Sequence, residues 1–317
     1  MKPGVYPGLP MQAYLDLPAV SSSIIRDLIE RCPRAAWHAS WLNPHRERES
    51  TDAQDAGTIA HGILLEGSTA GVEVIDPADH PAEKTGAIPD GWTNKSIRTA
   101  RDNARAAGKI PVLKDDMIRI RAMVDSARAF IDSLRDTEPA VWAAFQPDGG
   151  ESETTIVWQD GRTLCRIRPD RLSADRRLMI DAKFTATSAE PSSWGRTQMT
   201  RMGYYQSAAF YRRGVAAAFD VEEAAYHFLV VETEPPHLCS LVGVDPEAFA
   251  LGAEKVAAGL SLWQQCVRED HWPAYPNRAV YPELPAYESA RWQERQGCDE
   301  HGIPFDLDKL FPRKEVA

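Results

Sequence analysis

The sequence predicts an α/β fold of the α+β kind: a central mixed sheet with an antiparallel meander, flanked by helices. Three observations lead there. Apolar residues recur at helical spacing near both ends of the chain, while residues 151–185 alternate in the two-residue period of strands. A second pair of apolar strand runs spans 224–244, between two further helical stretches. The resulting order is helices, meander, helix, strands, helix. It lacks the strict alternation of a doubly wound parallel sheet.

After a Pro/Gly-rich lead over residues 1–20, "SSSIIRDLIE" predicts an N-capped helix. Serines precede Ile24, Ile25, Leu28 and Ile29, and Pro33 interrupts the pattern. The charged stretch 43–56 reads as a loop. "DAGTIAHGILLEG" predicts a short buried helix between glycines, with Ile59, Ile63 and Leu64 at helical spacing. Residues 67–111, rich in Pro, Gly and charge, predict an irregular, partly mobile insertion with one strand at "GVEVID". A helix follows over about 113–134, through Met117, Ile120, Val124 and Ala127. "ESETTIVWQDGRTLCRIRPDRLSADRRLMIDAKFT" predicts the meander, turning at "QDGR" and "SADR". "SSWGRTQMTRMGYYQSAAFYRRGVAAAF" predicts a long helix broken near Gly203, and "AAYHFLVVETEPPHLCSLVGV" two more strands. Residues 246–268 predict another helix, and the proline-studded tail beyond Trp272 is expected to wrap the surface.

The hydrophobic share of 43% and charged share of 26% are those of an ordinary soluble chain. No run approaches the roughly 18 apolar residues of a membrane span. The opening "MKPGVYPGLPMQAYLDLP" has no apolar secretory core, so a cytoplasmic location is expected. Cys32, Cys165, Cys239, Cys266 and Cys298 are scattered, excluding a CxxC-type zinc or iron–sulfur spacing, and read as free thiols. With neither GxGxxG nor a P-loop, no nucleotide cofactor is indicated. The net charge of −10 argues against a nucleic-acid partner, yet residues 162–213 hold eleven basic and four acidic residues. That segment is +7 and the remainder −17. Such concentration suits a docking polyanion, although a solvated arginine-rich surface has the same composition.

Within the meander, Arg166, Arg168 and Asp170 share one strand face. Asp181 and Lys183 share a face of "LMIDAKF", opposite Leu178, Ile180 and Ala182. Pairing across "RLSADRR" would bring both carboxylates and the amine together. Close carboxylates repel unless a cation separates them, and hard oxygen ligands favour Mg²⁺ or Mn²⁺. A nearby lysine can then orient water and stabilise charge on phosphorus. A polar hairpin with an exposed Asp–Lys pair fits the same residues equally well. His227, inside an apolar strand without an acid at matching spacing, reads as a core histidine.

"RPD", then ten residues, then "DAK" resembles the PD-(D/E)xK nuclease signature, with Asp170 in the first half and Asp181 and Lys183 in the second. "AGTIAHGILLEG" looks like the GTxxHxxLL helix of the RecE-type, exodeoxyribonuclease VIII-like branch, which puts His61 in the role of an additional metal ligand. "TRMGYYQSAAFYRRG" resembles that branch's Tyr/Gln helix, and "SSSIIRDLIERCPRAAWHASW" its opening. The motifs occur in family order over roughly residues 20–285. Departures are present: Tyr204 falls at the tyrosine position, but Ser207 stands where the family has glutamine and Gln206 is one residue early. Glu66, five residues after His61, is about 140° around the helix from it and makes a weak ligand candidate. Phe184 stands where the branch usually carries threonine or another small residue.

The resemblance implies a restriction-endonuclease-like core over residues 21–285, with 1–20 as a lead and 286–317 as a tail. It implies a Mg²⁺- or Mn²⁺-dependent exonuclease in which His61, Asp170, Asp181 and the Ala182 carbonyl hold the metal and Lys183 positions water. Arg168, Arg171, Tyr204 and Gln206 are candidates for gripping phosphates. The implied substrate is a double-stranded DNA end, digested 5′ to 3′ in phage-type recombination. The implied partners are a RecT-like single-strand annealing protein and further copies of the chain in a ring. A catalytically idle DNA-binding member of the fold and a repair- or restriction-type endonuclease are the alternatives.

Overall fold

The structure, a computed structural model, describes residues 1–46 and 52–296. In chain order the elements are β1 (Gly4–Tyr6), α1 (Met11–Asp16), α2 (Ser22–Glu30), α3 (Pro33–Ala39), α4 (Asp52–Glu66), β2 (Val72–Ile75), α5 (Lys95–Ala106) and β3 (Ile110–Leu113). There follow α6 (Lys114–Ser133), α7 (Pro139–Ala144), β4 (Gly150–Ser152), β5 (Thr155–Asp160), β6 (Thr163–Ile167), β7 (Arg171–Ser173) and β8 (Leu178–Thr185). The chain continues through α8 (Pro191–Trp194), α9 (Tyr204–Phe219), β9 (Ala225–Glu232), β10 (Cys239–Gly243), α10 (Pro246–Glu269) and α11 (Ala286–Gln296). Residues Met1–Ala274 form one compact unit and Tyr275–Ala317 a second, which contains α11.

The central sheet has the order β10-β9-β8-β7-β4; β8 and β9 pair in parallel and its other described pairs are antiparallel. Helix α9 makes the crossover that a parallel pair requires. Side-chain alternation along β8 then sorts the core. Leu178, Ile180 and Ala182 join the apolar cluster of α4 and α6, whereas Met179 joins the cluster of α2, α9 and α10. The sheet is thus covered by helices on both faces, which is why its middle strands are buried along most of their length.

The expected single meander is divided between two sheets. Strands β5 and β6 form a hairpin that belongs with β1, whereas β7 and β8 lie in the central sheet. The break falls at Arg168-Pro169-Asp170, where proline cannot donate to a ladder. Arg171 pairs with Ile180 and Leu172 with Met179, so Asp170 stands at the rung opposite Asp181. The lead is part of the same unit: β1 pairs with β5, and Leu17, Ala19 and Val20 are buried.

Residues 67–111 are more regular than expected. Strands β2 and β3 pair in parallel, joined through α5. Helix α5 escapes the apolar-period test because it buries only Ile97 and Ala104. The break expected near Gly203 is a corner: a π-helical turn over Gly195–Met199 precedes Gly203, which has φ 64°. Part of the expected 43–56 loop, residues 47–51, lies outside the described residues, as does Cys298. The four described cysteines are free thiols. No helix among the described residues is long and apolar enough to cross a membrane.

Candidate metal centre

Three polar side chains meet where β7 and β8 adjoin the middle of α4. Asp170, at the corner between β6 and β7, accepts through Oδ2 a hydrogen bond from the Ala182 amide at 2.8 Å. Burial of Ile59, Ala60, Ile63 and Leu64 fixes α4 against the sheet and leaves His61 facing the cleft. Its Nδ1 lies 3.4 Å from Asp170 Oδ2. Glu153, between β4 and β5, adopts a left-handed φ of 54° and donates its amide to the Asp170 carbonyl at 3.2 Å. One ligand atom from each of His61, Glu153 and Asp170 lies within 4.8 Å of the others. Lys183 and Asp181 form an ion pair beside this group.

The electrostatics are those of a site built for a cation. Burial, then the neighbouring Asp181 carboxylate, pushes Asp170 up to about 8. Burial and Asp170 likewise raise Glu153. Burial, then Lys183, lowers His61 and keeps its imidazole neutral, the form that binds metal. Burial works against the Lys183 charge, but Asp181 and Asp170 outweigh it and its pKa is raised. Two crowded carboxyls and one neutral imidazole fit a hard divalent ion, which would offset the repulsion between the acids. Ala182 lines the cleft at the same edge of the group.

Residues 21–284 match the profile of the family described as "PDDEXK-like domain of unknown function (DUF3799)". The chain belongs to this PDDEXK-like family. Among solved structures, the chain is similar to a "putative exonuclease" from Eubacterium rectale, at 13% identity and a TM-score of 0.55. That alignment covers 89% of this chain and 97% of the other, so the two share a fold, and the PDDEXK-like family match agrees with a restriction-endonuclease-like core. SSO0001 aligns at 11% identity over 65% of this chain and 86% of its own, with a TM-score of 0.24. No curated protein matches the sequence.

In this PDDEXK-like chain the signature residues Asp170, Asp181 and Lys183 converge with His61, while the four expected phosphate-gripping residues have mixed positions. Arg168 lines the cleft but donates to Glu153, to the Leu9 carbonyl at 2.6 Å and to Thr155 Oγ1 at 3.3 Å. Arg171 donates to the Ala144 carbonyl at 2.6 Å and to Ser152 Oγ at 2.9 Å, so it ties the end of α7 to β4. Tyr204 lies beside Lys183, whose ammonium is 5.2 Å from its ring centroid, and stacks on Trp194. Gln206 is 2% exposed in the core, and neither its amide nitrogen nor its oxygen has a hydrogen-bond partner. Arg171 thus holds backbone carbonyls, and Gln206 is sealed from solvent. Glu66 lines the cleft but stands outside the three-ligand group. His227 lies half-buried on β9, with its pKa lowered by burial.

Sequence reasoning missed Glu153, Tyr14 and Tyr211. All three line the cleft, which has a volume of about 700 Å³. A second hollow of about 220 Å³ shares Tyr14 and Tyr211 with it, and is lined also by Ser21–Ser23, Arg46 and Arg166. These serines begin α2, whose first amides and positive dipole end favour an anion.

Proposed function

We propose that this protein is a Mg²⁺- or Mn²⁺-dependent exonuclease that hydrolyses phosphodiester bonds at double-stranded DNA ends. The observation that carries the proposal is the convergence of His61, Glu153 and Asp170 beside the Asp181–Lys183 pair. His61, Asp170 and Glu153 would hold the metal, with Asp181 and the Ala182 carbonyl at the same rim. A divalent ion there supplies Lewis-acid polarisation of the phosphodiester and acidification of a water.

The chain's own residues supply the rest. Lys183, held protonated by Asp181 and Asp170, orients the attacking water and offsets negative charge gathering on phosphorus. Phe184 lines the cleft beside it, and the Tyr204 ring centroid lies 5.2 Å from its ammonium. The hollow next to the cleft, at the serine-lined start of α2, suits the phosphate of a strand terminus, which favours action at ends over action within a strand. Resemblance to the RecE-type branch supports 5′-to-3′ digestion, a RecT-like annealing partner, a ring of copies and work in the bacterial or phage-infected cytoplasm.

The test incubates purified protein with linear and covalently closed DNA, with Mg²⁺ or with chelator. Loss of linear DNA alone, and only with Mg²⁺, is expected. Nicking of closed circles would replace the exonuclease with an endonuclease, and retardation without digestion would replace it with a DNA-binding member of the fold.

A further inference from the structure

We infer that the apolar wall of the cleft, built from Phe184, Ile59, Val72 and Ile110, is a subsite for the nucleobase of the nucleotide being cleaved. The inference rests on the nuclease reading and deepens it. The cleft has two unlike sides. Glu153, Asp170 and Lys183 make one polar, whereas Ile59, Val72, Ile110 and Phe184 make the other apolar. Val72 and Ile110 are register partners in the β2–β3 pair, so the opening rung of the inserted strands borders the metal ligands. Phe184, Val72 and Ile110 remain half-buried, leaving apolar area facing the cleft.

Phe184 is the centre of this wall. It follows Lys183 on β8, and its ring meets His61 edge-on at a centroid distance of 5.4 Å. Among the described residues no ring is stacked parallel on it. An aromatic ring so close to a metal ligand lies within one sugar's reach of a phosphate bound there. Bases stack on such rings whatever their identity, because every base has a π-face. A space of about 700 Å³ is of the size that takes one small-molecule ligand. It has room for a single nucleotide with its base against Phe184.

The test uses short duplexes carrying 2-aminopurine or an abasic site as the terminal nucleotide, at either end in turn, with Ca²⁺ replacing Mg²⁺. Native protein is expected to bind the base-bearing end about tenfold more tightly than the abasic end and to change 2-aminopurine fluorescence. Phe184→Ala should bind both ends alike, at the native affinity for the abasic end, and Phe184→Tyr should restore the preference. Mn²⁺ titration and thermal unfolding of each variant check that the metal ligands and the fold survive. Equal native affinity for the two ends, or a preference that persists in Phe184→Ala, would overturn the subsite while Mg²⁺-dependent digestion stood. Failure of the native protein to bind or digest any DNA would remove the nuclease reading and the subsite with it.

Discussion

The Asp170 carboxylate accepts a hydrogen bond from the Ala182 amide at 2.8 Å, so the two halves of the split signature are joined directly. The joint explains how a residue outside any strand is held at the rung facing Asp181. It also separates two roles of one side chain. Asp170→Asn keeps an acceptor for the amide and should preserve the fold while losing Mn²⁺ binding. Asp170→Ala should destabilise the fold by about 1–3 kcal/mol, because a buried donor is left unpaired. Denaturant unfolding alongside Mn²⁺ titration checks both.

The raised Asp170 gives a signed pH dependence. Its folded value of about 8 lies above the ordinary aspartate value of about 3.9, so the metal-free fold keeps a proton that the unfolded chain has lost. Stability without metal should therefore fall as pH rises from about 4 to about 8. Thermal unfolding in chelator should show that slope, and Asp170→Asn should reduce it to the part that the raised Glu153 contributes. Metal binding near pH 7 should release about one proton, read by calorimetry in buffers of different ionisation enthalpy.

Arg168 is assigned to Glu153, and the variants differ from those of a phosphate contact. Arg168→Met should destabilise by about 3–5 kcal/mol, because it leaves the Glu153 carboxylate buried without its partner. Arg168→Met with Glu153→Leu should recover most of that loss but not metal affinity. A residue gripping phosphate would instead leave stability alone and lower the salt slope of DNA binding by about one.

Gln206 yields the opposite expectation. Its side chain is sealed in the core without a hydrogen-bond partner, so Gln206→Met should be neutral or stabilising. DNA binding should not change, as measured by anisotropy at matched salt. Weaker binding by this variant would return Gln206 to the substrate.

Much of this was legible where periodicity was strong. Helices α2 and α6 and strand β8 bury the residues that their spacing selects. The split of the meander at Pro169 was not, because alternation along a strand does not say which sheet the strand joins. Glu153 was hidden for a related reason: it sits at a left-handed residue between strands, where neither period applies. For Gln206 the deciding quantity is the turn of about 100° between helical neighbours, which moves a one-residue slip from the cleft into the core.

The most direct measurement is the anomalous scattering of a crystal soaked in Mn²⁺. The account predicts a peak bonded to His61 Nδ1 and to carboxylate oxygens of Asp170 and Glu153, at about 2.1 Å from each. A crystal that takes up Mn²⁺ elsewhere, or none at all with the cleft open to solvent, would contradict it.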